Sequence, residues 1–398
     1  MPQTAPPVQG QPATRHRSAF RPDIEGMRAL ALGLVLLYQA GVPGTAGGRL
    51  GVDVFFVISG FLITGLLVRE VETSGRVDLA RFYARRARRI LPSAVSVTIA
   101  VLLIVAVVAP ATLARVGVDA VAASLQAANW RYVLADVAGL NPIGVGSPLL
   151  HYWSLAVEEQ FYLAWPPLVM LTAWLAHKRG GSVRRWLAVV AGGLALVSLS
   201  TSIILTPLSG TVAYLSTPTR AWQLAAGALL ALAVPAVHEL IHRSWWPAAA
   251  ACASTTGLLL IATSAQWTGT VDYPGSAAII PTLGAVALIA GGAGAPGLAQ
   301  RILSWAPVQA AGRLSYVWYL WHLPVIYVAE DVGIQGWPLL LTLEIVVAGS
   351  LAWVTAVVIE RPCRFAPAWS TSSRRGLLLG ACFTGAGVLA GALAIAAA

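Results

Sequence analysis

Apolar runs recur along the whole chain, and short polar segments separate them. Most runs approach the length, roughly 17 to 25 residues, that a helix needs to cross the hydrocarbon core of a bilayer. The pattern therefore predicts an all-α, polytopic integral membrane protein, a bundle of about eleven transmembrane helices whose ends are defined to within a few residues. The predicted spans are residues 27–42, 50–68, 90–110, 152–176, 186–205, 212–234, 246–264, 275–292, 312–328, 337–359 and 376–397.

Composition agrees with this class, since hydrophobic residues make up 57% of the 398 residues and charged residues only 11%. The net charge is +10, and the basic residues gather in alternate loops, as expected for loops on the cytoplasmic side. This alternation predicts a cytoplasmic N-terminus and an extracytoplasmic C-terminus. It also explains the charge without nucleic acid as a partner, because the sequence has no basic stripe with interleaved aromatic residues.

Outside the spans the sequence predicts little structure. Residues 1–20 are rich in proline, glutamine and arginine, which predicts a disordered cytoplasmic tail without a signal peptide. Residues 111–150 are the longest external stretch, with room for a short amphipathic helix. The three cysteines lack the spacing of metal ligands, and there is no Walker, HExxH or GxSxG motif. We therefore expect neither a metal site nor serine-esterase chemistry.

Two of the apolar spans contain clusters of polar residues. These are the segments GVDVFFVISGFL at 51–62 and HYWSLAVEEQFY at 151–162. An unpaired polar group in such a place costs several kcal/mol. In the second segment Ser154, Glu158 and Tyr162 follow one another at four-residue intervals on one helix face, with Trp153 beside them. They form either an interhelical hydrogen-bond network or a functional site, which is the usual reason for a carboxylate inside a membrane bundle.

Other intramembrane polar residues leave two interpretations open. Asp53 and Ser59 either pack or line a channel, and the glycines at 51, 60 and 65 permit close helix approach. Arg220 needs a counter-charge that the neutral Gln223 cannot supply, and the sequence suggests Glu158 or Glu344. The mid-span His322 and Tyr319 are either packing residues or part of a site.

Six motifs, taken in order, resemble the membrane acyltransferase-3 family. They are RPDIEGMRAL at 21, GVDVFFVISGFLIT at 51, RFYARRARRILP at 81, HYWSLAVEEQFY at 151, TRAW at 219 and GRLSYVWYLWHLP at 312. The resemblance defines a transmembrane acyltransferase domain at 21–362, followed at 363–398 by a cytoplasmic loop and a final transmembrane helix. Many family members also carry an extracytoplasmic SGNH hydrolase-like domain, which is not found in this sequence.

The resemblance implies an O-acyltransferase in the cytoplasmic (inner) membrane of a bacterium. Its donor would be cytoplasmic acyl-CoA, with acetyl-CoA favoured, and no metal would take part. The acceptor would be a hydroxyl of an envelope glycan, a lipid-linked glycan or a small molecule. Other expected partners are membrane lipids and a separate extracytoplasmic protein.

Five arginines are the expected ligands of the donor. Arg28 shares a helix face with position 39, eleven residues and ~16 Å further along the axis. The others, Arg85, Arg86, Arg88 and Arg89, lie at the cytoplasmic mouth of the third span, where the alternative is an anchor for lipid headgroups. Guanidinium groups bind phosphates in a bidentate manner, so the resemblance favours CoA phosphates. We expect all five side chains to converge on one cavity open to the cytoplasm.

Position 39 departs from the family, which has a catalytic histidine where this chain has Gln39. Glutamine has no titratable group near neutrality and cannot act as a general base. Gln39 remains a candidate catalytic residue because of its position, and the other candidates are Glu158, Tyr162 and His322. We expect Glu158 to lie within reach of Gln39, Arg220 or His322. Two hypotheses remain: an active acyltransferase that uses another base, or a catalytically impaired member, natural or artificially inactivated, that acts as a carrier or assembly partner.

Overall fold

A computed structural model describes residues 21–141, 146–293 and 297–398, so the tail predicted at 1–20 lies outside the described residues. Throughout these ranges the regular structure is helical, without a strand. The helices are α1 (Pro22–Gln39), α2 (Gly51–Ser74), α3 (Leu79–Val108), α4 (Leu113–Ser124), α5 (Ala128–Val137), α6 (Tyr152–Lys178), α7 (Val183–Leu205), α8 (Gly210–Leu215), α9 (Thr217–Leu240), α10 (Trp246–Trp267), α11 (Ile279–Gly291), α12 (Leu298–Leu303), α13 (Ala306–Asp331), α14 (Trp337–Leu343), α15 (Gly349–Thr355), α16 (Arg361–Phe365), α17 (Pro367–Ser370) and α18 (Ser373–Ala396).

The all-α membrane class predicted from the sequence is confirmed. Among the described residues, seven helical segments are long and apolar enough to cross a membrane: α2, α3, α7, α8 with α9, α10, α14 to α16, and α18. Helices α1, α6 and α13 are also long, but they are not in that apolar group because they carry the polar motif residues. Each of the predicted spans overlaps helical structure, and the span at 212–234 falls on two helices, α8 and α9. The number of spans and their orientation stay predictions.

Glycines allow α2 and α9 to cross in close contact. A Cβ atom on Gly60 would lie 1.8 Å from the carbonyl oxygen of Leu224, and one on Gly227 would lie 2.0 Å from that of Val57. Only glycine fits at such a crossing, as is common between membrane helices. A Cβ on Gly65 would meet open space, so the close approach expected there from the sequence is absent.

The long helix that follows α13 contains two π-helical stretches, Glu344–Ala348 and Ala356–Glu360. They join α14, α15 and α16 into one continuous element that ends at Phe365. Trp318 of α13 donates a hydrogen bond of 2.8 Å to the carbonyl oxygen of Glu344. A π-bulge leaves carbonyl groups available for such partners, and this bond fastens the element to α13.

Helices α1, α2, α6 and α13 surround the polar interior of the bundle, and α3 closes one end of it. Helix α1 packs between α2 and α13, and Gly312 lets α13 approach α1 so closely that a Cβ there would lie 1.8 Å from the carbonyl oxygen of Glu25. The described part of the stretch at 111–150, which the sequence predicts to be external, holds two short helices, α4 and α5, where a single one was expected. Gln160 of α6 donates to Asn129 of α5 over 2.9 Å and ties that layer to the bundle.

Candidate active site

The bundle encloses a small cavity of about 120 Å³ near the start of α13, which we call the arginine cavity. Its lining comes from α1, α2, α3, α6 and α13. The lining residues are Arg28, Val52, Phe55, Phe56, Ile58, Ser59, Leu62, Ile63, Arg86, Arg89, Ile90, Ser154, Leu155, Glu158, Glu159, Tyr162, Ser315, Tyr316 and Tyr319. The wall combines charged and hydroxyl side chains with apolar ones, and convergent polar groups in a partly apolar cavity are typical of a ligand site.

A larger cavity of about 570 Å³ lies towards the other end of α13, and we call it the histidine cavity. Two histidines and several aromatic residues line it. The lining residues are Val35, Tyr38, Gln39, Arg49, Val52, Gly146, Ser147, Leu150, His151, Trp153, Tyr214, Leu215, Tyr319, His322, Leu323, Ile326, Tyr327, Glu330 and Asp331.

Val52 and Tyr319 line both cavities, so the two spaces meet at these side chains. The order of lining residues along the helices agrees with this arrangement. Helix α1 places Arg28 in one cavity and Gln39 in the other, and α6 runs the opposite way from His151 to Glu158. The bundle therefore contains a polar route along its axis that is divided near its middle.

Three of the five candidate donor ligands line the arginine cavity: Arg28, Arg86 and Arg89. Arg28 donates a hydrogen bond of 3.2 Å to Ser315. Arg86 forms an ion pair of 2.8 Å with Glu159, and its guanidinium carbon lies 3.6 Å from the centre of the Tyr162 ring. Among the described residues, Arg89 has no ion pair and no side-chain hydrogen bond, so its charge is the one most available to an anionic ligand.

The other two arginines do not join this cavity, so the expected convergence of all five is wrong. Arg88 donates a hydrogen bond of 3.0 Å to the carbonyl oxygen of Trp369, beside α18. Arg85 is not part of the cavity lining. The reason is helical geometry, because four arginines within five residues of α3 point in several directions around the helix.

Glu158 lies in the arginine cavity, where its carboxylate accepts hydrogen bonds from Ser59, over 2.5 Å, and from Tyr162. The expectation that it lies within reach of Gln39, Arg220 or His322 is therefore wrong. The structure brings Glu158 and Tyr162, which the sequence places on one helix face, together with Ser59, a candidate from a different helix. Glu159, the partner of Arg86, was missed, although it is the second acid of the same motif.

Arg220 finds its counter-charge in Asp53, and both side chains are fully buried. Tyr273 also donates to Asp53, and Gln223 donates to it over 3.3 Å. The expectation that Glu158 or Glu344 pairs with Arg220 is thus wrong. The rings of four aromatic residues surround the guanidinium group with centres 5.4 to 5.8 Å away: Phe56, Trp153, Tyr214 and Tyr273. Because Trp153 and Tyr214 line the histidine cavity, this ion pair supports its wall.

Two imidazole rings lie close together in the histidine cavity. His322, which was selected from the sequence, lies with its ring centre 5.0 Å from that of His151, which was not. Gln39 is half-buried and lines the same cavity. The signal that could have identified His151 is its place at the start of the HYWSLAVEEQFY motif.

Comparison with known proteins gives consistent results. The model of a family described as "Acyltransferase domain" matches residues 21–361. A peptidoglycan O-acetyltransferase, OatA of Listeria monocytogenes, is 31% identical over 329 residues, which are 80% of this chain and 51% of that protein. An O-acetyltransferase, OatA of Staphylococcus aureus, is 31% identical over 354 residues, 87% of this chain and 57% of that protein. The chain thus spans about half the length of the curated relatives it matches. No solved structure matches the chain.

Proposed function

Because the chain belongs to the acyltransferase family whose model matches residues 21–361, we propose that it is a membrane O-acyltransferase. The donor is acyl-CoA, with acetyl-CoA favoured by the acetyltransferase relatives. The acceptor is a hydroxyl of a cell-envelope glycan, with peptidoglycan favoured by the Listeria relative. The location is the cytoplasmic membrane of a bacterium, with the arginine cavity facing the cytoplasm.

The meeting of the two cavities at Tyr319 is the observation that carries this proposal. A donor with phosphate groups needs cations, and Arg28 and Arg89 supply them at one end. A hydroxyl acceptor needs a group that takes its proton, and the imidazoles supply candidates at the other end. Transfer between the two sides then requires the acyl group to pass only Tyr319 and Val52.

The impaired-carrier hypothesis rests on Gln39, which cannot act as a base. It loses support because His151 and His322 line the same cavity and do have titratable rings. We therefore favour the enzyme, with Gln39 as a wall residue that holds the acceptor by hydrogen bonds through its amide. Glu158, Ser59 and Tyr162 form the wall along which the acyl group lies.

The test is acyl transfer by the purified protein in lipid vesicles. Acetyl-CoA labelled in the acetyl group is supplied on the side of the basic loops, and soluble peptidoglycan fragments are supplied on the other side. We expect labelled ester in the glycan, released by mild base. The Arg89→Gln protein provides the matched control, because only the donor-side cation changes. The absence of labelled ester with wild-type protein and all glycan acceptors would contradict the proposed function.

A further inference from the structure

The hydrogen bond of His151 fixes the position of its ring proton. The Nε2 atom lies 3.1 Å from the carbonyl oxygen of Leu320. A carbonyl oxygen can only accept, so Nε2 carries the hydrogen and donates it. In the neutral ring the other nitrogen, Nδ1, is then an unprotonated acceptor. It is buried, and it has no hydrogen-bond partner among the residues that the structure describes.

His322 shows the same arrangement with the nitrogens exchanged. Its Nδ1 atom donates a hydrogen bond of 2.5 Å to the carbonyl oxygen of Tyr319, one turn earlier in α13. The free nitrogen of this ring is therefore Nε2. The two imidazoles thus lie side by side in the histidine cavity, each with one nitrogen fixed as a donor by the backbone, and in the neutral form of each ring the other nitrogen is an acceptor.

A buried acceptor without a partner costs about 1 to 3 kcal/mol, so the Nδ1 atom of His151 calls for an explanation. Packing alone does not provide one, because a glutamine could donate to Leu320 just as well. The ring is also held in place, with its centre 4.9 Å from that of Tyr152 and 5.4 Å from that of Tyr319. The ring belongs to the lining of the histidine cavity, and a fixed imidazole whose buried Nδ1 keeps an unused lone pair has the chemistry of a general base.

We propose that His151 is the general base of the reaction and takes over the function that Gln39 cannot perform. This inference rests on the proposed function. The acceptor hydroxyl oxygen attacks the carbonyl carbon of the thioester, and its proton passes to Nδ1 of His151. The new C–O bond forms while the C–S bond breaks, and the sulfur leaves as the CoA thiolate. The thiolate takes a proton from water on the donor side, and His151 releases the hydroxyl proton to water on the acceptor side, which returns the ring to its neutral form. Leu320 holds His151 in the correct tautomer, as an orienting acceptor does in other base-assisted sites.

Substitutions that keep the structural hydrogen bond of each ring can separate catalysis from packing. In His151→Gln, the amide nitrogen replaces Nε2 and still donates to Leu320, but the side chain at this position can no longer act as a base. In His322→Asn, the amide nitrogen replaces Nδ1 and still donates to Tyr319. We expect His151→Gln to lower kcat by about 10² to 10⁴-fold, the usual contribution of a general base, with KM for acetyl-CoA unchanged because the donor binds in the other cavity. We expect a smaller loss in His322→Asn.

Three outcomes would overturn this assignment while leaving the proposed function intact. They are wild-type kcat in His151→Gln, a larger loss in His322→Asn than in His151→Gln, and a gain of about 10²-fold or more in Gln39→His, which would show that the native protein lacks a competent base. An inactive wild-type protein would instead contradict the proposed function itself.

A labelling experiment on the wild-type protein covers the case in which His151→Gln does not fold. Diethyl pyrocarbonate acylates the unprotonated nitrogen of imidazoles, and mass spectrometry of peptides identifies the modified residue. We expect activity to fall in step with modification of His151, and a glycan acceptor to slow both. Inactivation that follows another residue while His151 stays unmodified would overturn the assignment.

Discussion

The hydroxyl groups of Ser154 and Tyr319 lie 2.9 Å apart, and both also lie within hydrogen-bond distance of the carbonyl oxygen of His151, at 3.1 and 3.3 Å. This cluster ties α13 to the first turn of α6 where the two cavities meet. The ring of Tyr319 therefore lies as a partition between the two cavities, and with the proposed donor in the arginine cavity it would separate the thioester from water in the histidine cavity until the acyl group passes it. Exclusion of water at this point would protect the donor until an acceptor is bound.

Removal of the partition should uncouple the two half-sites. In Tyr319→Ala we expect acetyl-CoA hydrolysis without acceptor to rise several-fold, because water then reaches the thioester, while transfer to glycan falls. Tyr319→Phe is the matched control, since it keeps the ring and loses only the hydroxyl, and its hydrolysis should stay near the wild-type rate. Free thiol release in the absence of acceptor measures the effect. Equal hydrolysis rates in Tyr319→Ala and wild type would contradict the partition.

The crossing of α2 and α9 predicts unequal effects for two glycines on the same helix. Gly60→Ala should lower the unfolding free energy by about 1 to 3 kcal/mol, because the new methyl group overlaps the backbone of Leu224. Gly65→Ala should change it by less than about 0.5 kcal/mol, because its methyl group meets open space. Thermal unfolding of the two variants in the same detergent gives the comparison. A similar shift in both would show that the crossing is looser than described.

The sequence predicted the helical class and much of the candidate site because both follow from local pattern. Apolar length identifies membrane helices, and the four-residue spacing of Ser154, Glu158 and Tyr162 gives their common face. The position of Glu158 along the helix axis could also have been estimated, because at 1.5 Å per residue it lies about 10 Å along α6 from His151. Since Gln39 lies at the same end of the bundle as His151, that distance already separates Glu158 from Gln39.

Other features depend on tertiary structure and could not be derived in this way. The pairing of Asp53 with Arg220 joins α2 and α9, which are 167 positions apart at these residues. Sequence periodicity shows that each side chain needs a partner, but not which partner lies at the same depth on a neighbouring helix. The free nitrogen of His151 depends on the position of a backbone carbonyl group in α13, which no local pattern specifies.

The buried ion pair of Asp53 and Arg220 should behave as one unit. Asp53→Asn leaves the guanidinium group without a counter-charge and should cost about 3 to 5 kcal/mol of stability. Arg220→Met should cost a similar amount, because it leaves the carboxylate unpaired. The variant that carries both substitutions should lose less stability than the two single losses added together, since no uncompensated charge remains. Melting temperatures of all four proteins test this, and additive losses would contradict a direct interaction.

Glu158 should affect turnover without weakening donor binding. Its carboxylate fixes the hydroxyl groups of Ser59 and Tyr162, and hydrogen bonds to a charged group contribute about 1.5 to 3 kcal/mol. We therefore expect Glu158→Gln to lower kcat by roughly 10 to 100-fold. KM for acetyl-CoA should not rise, because the change removes a carboxylate from the cavity proposed to hold the CoA phosphates. Steady-state kinetics separates the two quantities, and a large rise in KM with unchanged kcat would contradict this role.

The arginines of α3 provide the sharpest test of the proposed donor site, because neighbouring residues differ in their access to the arginine cavity. Arg89 lines the arginine cavity and has no ion pair in the described structure, whereas Arg85 is absent from the lining. A charge-assisted hydrogen bond contributes about 1.5 to 3 kcal/mol, so Arg89→Gln should weaken acetyl-CoA binding by roughly 10 to 150-fold. Arg85→Gln removes the same charge from the same helix and should change binding by less than about threefold, through screened attraction alone. Isothermal titration calorimetry with CoA in detergent measures both. Equal losses in the two variants would show that the basic loop acts through its total charge, as an anchor for lipid headgroups would, and not through a phosphate site in the cavity.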